Sequence, residues 1–320
     1  VGAEMCIRDR DYILNFSDNP TLSDVKQVRK KHDWLPTGLI LPSIILMAIL
    51  LFFPIIRGIH LSFFKVRLLQ LRTGGEFVGI ENYIKLFNDA KFWNSVQITE
   101  LYTIGVVVSD YLFGLNIALL LNQSFPARGL LRTLMIIPWA IPEVVAVLIF
   151  AWILDAQYGV FNFFLIQLGI ISESQPWLVQ AHLALPSVIL TTVWKQFPLA
   201  TLILLAGLQT IPEEQYEAAK IDGANVIQRF RYITMPGLRS VNMVLILILI
   251  LYSFRRVTII FALTGGGPAR ATETLSIQTY NTAFQFQKLG YASTIGTVLL
   301  VLLFIFTLIY FRVVYKNPED

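Results

Sequence analysis

Cysteine is nearly absent from this sequence. The single Cys6 excludes an intrachain disulfide and a cysteine metal site. Histidine is scarce as well: His32, His60 and His182 are scattered and no HExxH pair occurs, so no metal site is expected. There is no GxxxxGK[ST] loop and no Gly-Lys dipeptide, which excludes an ATPase built on that phosphate cradle. Neither a GxSxG elbow nor a Ser/His/Asp spacing supports nucleophilic hydrolysis. The chain is therefore not expected to be an enzyme or to hold a cofactor. Charge is thin too. Asp, Glu, Lys and Arg make up 14% of the 320 residues, against about 25% in a soluble domain. The net charge of +4 suits loops beside anionic lipid and does not suggest a nucleic-acid partner.

What the sequence has instead is apolar length. Hydrophobic residues reach 55% and the mean hydropathy is +0.64. Six runs, at 35–56, 96–121, 133–154, 183–207, 241–263 and 291–313, are each long enough to cross about 30 Å of hydrocarbon. The fold class predicted is an all-α membrane protein of six transmembrane helices. The runs are too long and continuous for barrel strands, and no strand-rich segment stands out. The first run is too long for a cleavable signal and lacks a small-residue cleavage site. The expected domains are a cytoplasmic tail at 1–34, a six-span domain over 35–313 and a short cytoplasmic tail at 314–320. Residues 1–10, VGAEMCIRDR, look like a translated sequencing adapter and are set aside. Basic residues on the side of the termini outnumber those on the other side twelve to seven, which predicts cytoplasmic termini. The loop at 155–182 carries no Lys or Arg, in line with an outside position.

Between the fourth and fifth runs lies one long polar island, PEEQYEAAKIDGANVIQRFRYITMP, at 212–236. Pro212 suits the first position of a helix, and Glu213 and Glu214 favour its positive end. Gly223 predicts a stop. Asn225 predicts the cap of a second helix, whose Val226, Phe230 and Ile233 share one face. Met235-Pro236-Gly237 is expected to end it. A bent pair of amphipathic helices between two spans is a shape that something soluble could grip.

Glu217-Ala218-Ala219, Asp222-Gly223-Ala224 and Ile233-Thr234-Met235-Pro236 resemble the EAA loop (here 208–240) of ABC importer permeases. The resemblance implies a type I importer permease fold whose loop docks on a cytoplasmic ATPase. Glu217 would anchor by charge, Ala218 and Ala219 would allow close approach, Gly223 would make the sharp bend, and Asp222 and Pro236 would belong to the same ATPase-coupling loop. The alternative from the residues alone is an ordinary cytoplasmic loop.

A second set narrows the likeness. Thr264-Gly265-Gly266-Gly267-Pro268, Thr272-Glu273-Thr274-Leu275, Val78-Gly79-Ile80-Glu81-Asn82-Tyr83, Pro138, and Leu208-Gln209-Thr210-Ile211-Pro212 resemble the maltose and glycerol-3-phosphate type, on the partner that carries GGGP. That type implies a second homologous permease subunit, two ATPase subunits and an external solute-binding protein, all working in the bacterial inner membrane. By the same likeness the sugar path would include Trp194, Gln196, Leu199, Tyr252, Ser253 and Arg256. This sequence departs from the pattern by placing Lys195, Arg255 and Arg256 in or near the spans. Cations at that depth need a partner or a watery cavity. Three readings stay open: an ion pair with Asp110, Glu143 or Asp155; recognition of an anionic solute such as a uronate, glycerol phosphate or phosphodiester; or snorkelling to the interface. The remaining rival is a membrane scaffold with no transport role.

Overall fold

A computed structural model describes residues 34–70 and 74–314. Nearly all of the expected tails, 1–33 and 315–320, lies outside the described residues. The chain divides into two units, Val1–Ile56 and Arg57–Asp320. In the first, the described residues belong to α1 (Trp34–Ser62), whose large apolar side chains from Leu39 to Ile56 are exposed. Such a surface matches hydrocarbon rather than water.

The second unit begins with the last turn of α1. There Ser62 donates to the Ile59 carbonyl at 2.6 Å and shares a 2.6 Å hydrogen bond with Tyr83. A two-stranded antiparallel ribbon follows, β1 (Phe64–Lys65) and β2 (Glu76–Phe77). Strands this short carry no readable period. After α2 (Glu81–Phe87) comes α3 (Ala90–Asn122), which starts well before the expected 96. The reason is a cap: the Asp89 side chain accepts from the Lys91 amide at 2.9 Å.

The run at 133–154 is not one rod. It is two helices, α4 (Arg128–Ala140) and α5 (Glu143–Ile153), bent by 94°. Pro142 has no N–H to continue the ladder and disfavours helical backbone at Ile141. The cation-free loop holds α6 (Val160–Gln167) and leads to α7 (Ala181–Leu208). The polar island then forms α8 (Glu213–Ile221), α9 (Val226–Arg229), a π turn (Phe230–Thr234) and α10 (Met235–Gly237). The run at 241–263 is also interrupted. It comprises α11 (Arg239–Phe254) and α12 (Thr258–Thr264), with Arg255, Arg256 and Val257 between them. Last come α13 (Leu275–Tyr280), a second π turn (Asn281–Gln285) and α14 (Leu289–Val314). Among the described residues four helices are long and apolar enough to span a membrane. The count is six when α4 with α5, and the Val226–Gly237 segment with α11, are each taken as one bent span.

The core of the second unit is the seam between α3 and α7. Gly114 lies so close to α7 that a Cβ there would come within 2.8 Å of the Ala200 Cβ. Small residues at such seams let helices approach when lipid supplies no hydrophobic drive between them. Leu115, Ala118 and Leu121 of α3 meet Leu204, Leu205 and Leu208 of α7 and Leu245 and Leu249 of α11. The segment 264–290, which reads as a Gly/Pro/Thr loop, is deeply packed over 272–278. Its backbone can be buried because hydroxyls satisfy it: Thr99 accepts from the Leu275 amide at 2.9 Å, and Thr272 donates to the Gly267 carbonyl at 2.8 Å. Nearby, Arg270 pairs with Glu273. Burial nevertheless pushes the Glu273 carboxyl above its usual range.

Candidate functional site

Two interrupted spans meet on α7, and three side chains stitch them together. Lys195 donates from its ammonium to the Trp139 carbonyl at 2.6 Å, at the broken end of α4. Arg256, in the gap after α11, donates to Glu143 in the first turn of α5 at 2.5 Å and also to Gln196 Oε1 of α7. Ser276 donates to the Phe254 carbonyl, the last of α11. Helix ends leave carbonyls without partners, and in hydrocarbon each would cost several kcal/mol. A charged side chain at mid-span costs at least about 2.5 kcal/mol on insertion scales. For Lys195 the two costs offset each other, because its charge sits where α4 is open, whereas Arg256 is held by the side chains of Glu143 and Gln196. In secondary transporters, discontinuous helices form the substrate and ion sites.

Beside the stitches is a cleft of about 290 Å³ lined by Glu143, Tyr252, Arg255, Arg256, Val257 and Thr258. Arg255 is exposed, and its guanidinium carbon lies 4.6 Å from the centroid of the Tyr252 ring. Gln196 and Arg256 are therefore brought together, with Tyr252 at the same cleft. Ser253 is not at the cleft. It is buried, and its hydroxyl donates back to the Leu249 carbonyl at 2.9 Å. Trp194 faces α5 rather than the cleft lining, its ring 5.1 Å from that of Phe150. Leu199 makes no polar contact and is half-buried. Of the three carboxylates open to Arg256, Glu143 makes the ion pair. Asp155 lies past the end of α5, where the amides of Tyr158 and Gln157, each at 2.8 Å, hold its carboxyl below the usual range. Asp110 is buried in α3 with neither oxygen hydrogen-bonded. The Ser276 stitch escapes sequence reasoning, since nothing local links it to Phe254. The Lys195 stitch has a signal in retrospect: one run carries a lone lysine, and another carries Pro138 and Pro142 on either side of its break.

A second, larger hollow runs along α5 beside Leu148, Trp152 and Tyr158. Its one charged group is Asp155, already satisfied by the two amides, so it offers little to a polar solute.

The elbow after α7 is the other candidate site. Pro212 precedes α8 as its N-cap rather than opening it, a one-residue difference at a boundary. At the other end Gly223 has φ +80°. Its amide reaches the Lys220 carbonyl at 3.1 Å, and the Ala224 amide reaches that of Ala219 at 2.9 Å. That double bond pattern closes the helix in the left-handed manner glycine permits. Asn225 then caps α9: its side chain accepts from the Gln228 amide at 2.9 Å, while its own amide donates to Gln228 Oε1 at 2.8 Å. The expected shared face of Val226, Phe230 and Ile233 is only partly realised. Val226 is 70% exposed, whereas Phe230 packs on the core. The π turn widens the spiral by a residue and rotates the face. Met235-Pro236-Gly237 does not end the helix. It is itself helical, and the turn of direction falls at Leu238.

The two halves of the elbow are tied by a 3.0 Å hydrogen bond between the Tyr216 and Thr234 hydroxyls. Its base is locked to the spans by two glycines. A Cβ on Gly207 would come within 2.9 Å of Leu238 and Val241 side chains, and one on Gly237 within 2.7 Å of Ile211. Glu217, Ala218, Asp222, Gly223 and Pro236 are exposed and Ala219 is half-buried. Ile221, Ile227 and Tyr232 are also exposed, at 87%, 75% and 71%. Among the described residues no group of three or more His, Cys, Asp or Glu could hold a metal ion.

Residues 111–317 match the model of the family described as binding-protein-dependent transport system inner membrane component. The chain is 36% identical over 300 residues to the sulfoquinovosyl glycerol transport system permease protein SmoG of Agrobacterium fabrum, covering 91% of this chain and 96% of the relative. It is 33% identical over 297 residues to the trehalose/maltose transport system permease protein MalF of Thermococcus litoralis, covering 92% and 98%. Among solved structures it is similar to a bacterial ABC transporter involved in the import of the acidic polysaccharide alginate. The TM-score there is 0.75 and the identity 22%, over 93% of this chain and 99% of that one. That likeness speaks for the fold. With the interrupted spans and the exposed elbow, these similarities show that the chain is an ABC importer permease and belongs to the family of binding-protein-dependent transport system inner membrane components.

Proposed function

We propose that this chain is the membrane permease of an ATP-driven importer of sugars or oligosaccharides, lining half of the path and coupling to an ATPase through its elbow. The observation that carries the coupling role is the elbow itself. It is capped at the joint between α8 and α9, braced by Tyr216 and Thr234, and locked by Gly207 and Gly237 to the spans, so a force on α8 is passed on rather than absorbed. Glu217 is the anchoring charge, Ala218 and Ala219 admit the ATPase surface, and Asp222, Gly223 and Pro236 set the bend. The sugar class is supported by the two relatives above, each similar over nearly its whole length.

The partners in this reading are a second homologous permease, two ATPase subunits and an external solute-binding protein. A binding protein accompanies a structure similar to this chain, the alginate transporter with its pentasaccharide-bound periplasmic protein. Both termini and the elbow face the cytoplasm. ATP binding closes the ATPase pair and the spans swing as near-rigid bodies. In the path, Tyr252 and Arg256 line the cleft, and Gln196 joins them through its hydrogen bond from Arg256. Trp194, Leu199 and Ser253 belong to the same path in this reading, the first two on α7 and the third near the end of α11.

The test is Glu217→Lys in cells carrying the intact transporter. The variant should reach the membrane at parental levels, fail to co-purify with the ATPase, and lose sugar uptake. Parental uptake by the variant would refute the coupling role.

A further inference from the structure

The mid-span cleft holds an unbalanced positive charge. Arg256 spends its guanidinium on Glu143 and Gln196, and Lys195 spends its ammonium on the Trp139 carbonyl. Arg255 has no carboxylate beside it among the described residues. It is exposed at the cleft, stacked over Tyr252 at 4.6 Å. That stack decides between two ligand chemistries. A neutral sugar is held by bare aromatic faces and neutral donors, and here a face of the cleft's one aromatic ring is already covered by a cation. The ring holds the guanidinium at the cleft and leaves its N–H groups free to offer paired donors. Planar paired donors match a carboxylate or a sulfonate, and charge-assisted pairing of this kind is strong away from bulk water.

We propose that the cleft selects sugars bearing an oxyanion, carboxylate or sulfonate, and that Arg255, held over the Tyr252 ring, is the specificity-determining donor. The proposal rests on the sugar-importer reading above and adds the charge of the substrate to it. Glu143 is not a competitor for the incoming anion's partner, because its charge is committed to Arg256. Thr258, exposed at the same rim, faces the cleft from the next helix.

The experiment uses cells expressing the chain with its native partner subunits and three radiolabelled probes: methyl glucuronoside, methyl 6-deoxy-6-sulfoglucoside and methyl glucoside. At least one anionic probe should enter faster than the neutral one, and which of them does so separates carboxylate from sulfonate. Arg255→Gln should lower the anionic-to-neutral uptake ratio at least about tenfold, the loss expected for a hydrogen bond to a charged group. Arg255→Lys should recover part of the ratio, since the charge returns without the fork. Tyr252→Leu should lower the ratio by removing the platform. An unchanged ratio in Arg255→Gln overturns the proposal. So does loss of the assembled complex in that variant, which would place Arg255 at a subunit contact. Entry of the neutral probe alone overturns this inference and leaves the sugar-importer reading standing. Entry of none of the three, with the complex assembled and hydrolysing ATP, sinks both.

Discussion

The Glu143 carboxylate takes the charge of Arg256, and the two side chains are 38% and 10% exposed. The arginine is the buried member, so removing its partner should hurt more than an exposed pair would suggest. Glu143→Gln leaves Arg256 with Gln196 alone. We expect a loss of about 1–2 kcal/mol, scaled down because Glu143 keeps some contact with its surroundings. The check is the thermal unfolding midpoint of the purified protein. Adding Arg256→Gln should restore part of the loss, because the uncompensated charge is then gone. A single variant as stable as the parent would show that the pair contributes nothing. The residues involved were all visible in the sequence as intramembrane charges, but their pairing was not. Choosing among Asp110, Glu143 and Asp155 needed the bend at Pro142, which swings the start of α5 toward α7 and leaves Asp155 beyond its far end.

Hydropathy counts side chains and is blind to the backbone, so at the level of elements it finds the greasy runs and misses their interruptions. The runs at 133–154 and 241–263 stay apolar enough on average to read as single spans, although Pro142-Glu143 and Arg255-Arg256 stand at breaks that the dihedrals and the stitching side chains reveal. The elbow was the reverse case. Gly223 and Asn225 carry their own structural instructions, one through left-handed backbone and one through a cap, and both act within a few residues. The π turn after Arg229 carries no such local signal, and with it went the predicted face of α9. Gly223→Val tests the stop. Nothing lies within 4 Å of where a Cβ would sit, so the cost is conformational and not steric. A β-branched residue at φ +80° should cost about 1–3 kcal/mol locally. The Ala224 amide should then exchange faster with deuterium, and sugar uptake should fall while membrane levels hold. Unchanged exchange at Ala224 would mean that the helix end does not depend on the glycine.

For the whole molecule, orientation is the property most open to direct measurement. The parent's one cysteine is easily removed as Cys6→Ser, which clears the background. In that setting Tyr158→Cys, on the exposed cation-free loop, should react with a membrane-impermeant maleimide in intact cells. Gln215→Cys, on the exposed face of α8, should react only after the membrane is opened. The opposite pattern would turn the proposed topology over. Sequence alone determined that this is a membrane protein of helices with a polar, self-capping elbow. Those properties are local, set by apolar run length and by single residues such as Gly223 and Asn225. Only the tertiary structure decided that two of the runs are broken, that their open ends meet on α7, and that Arg256 is spent while Arg255 is not. The reason is physical: whether a charge is satisfied depends on groups more than fifty residues away along the chain, as Lys195 and Trp139 are, and no periodicity records that distance.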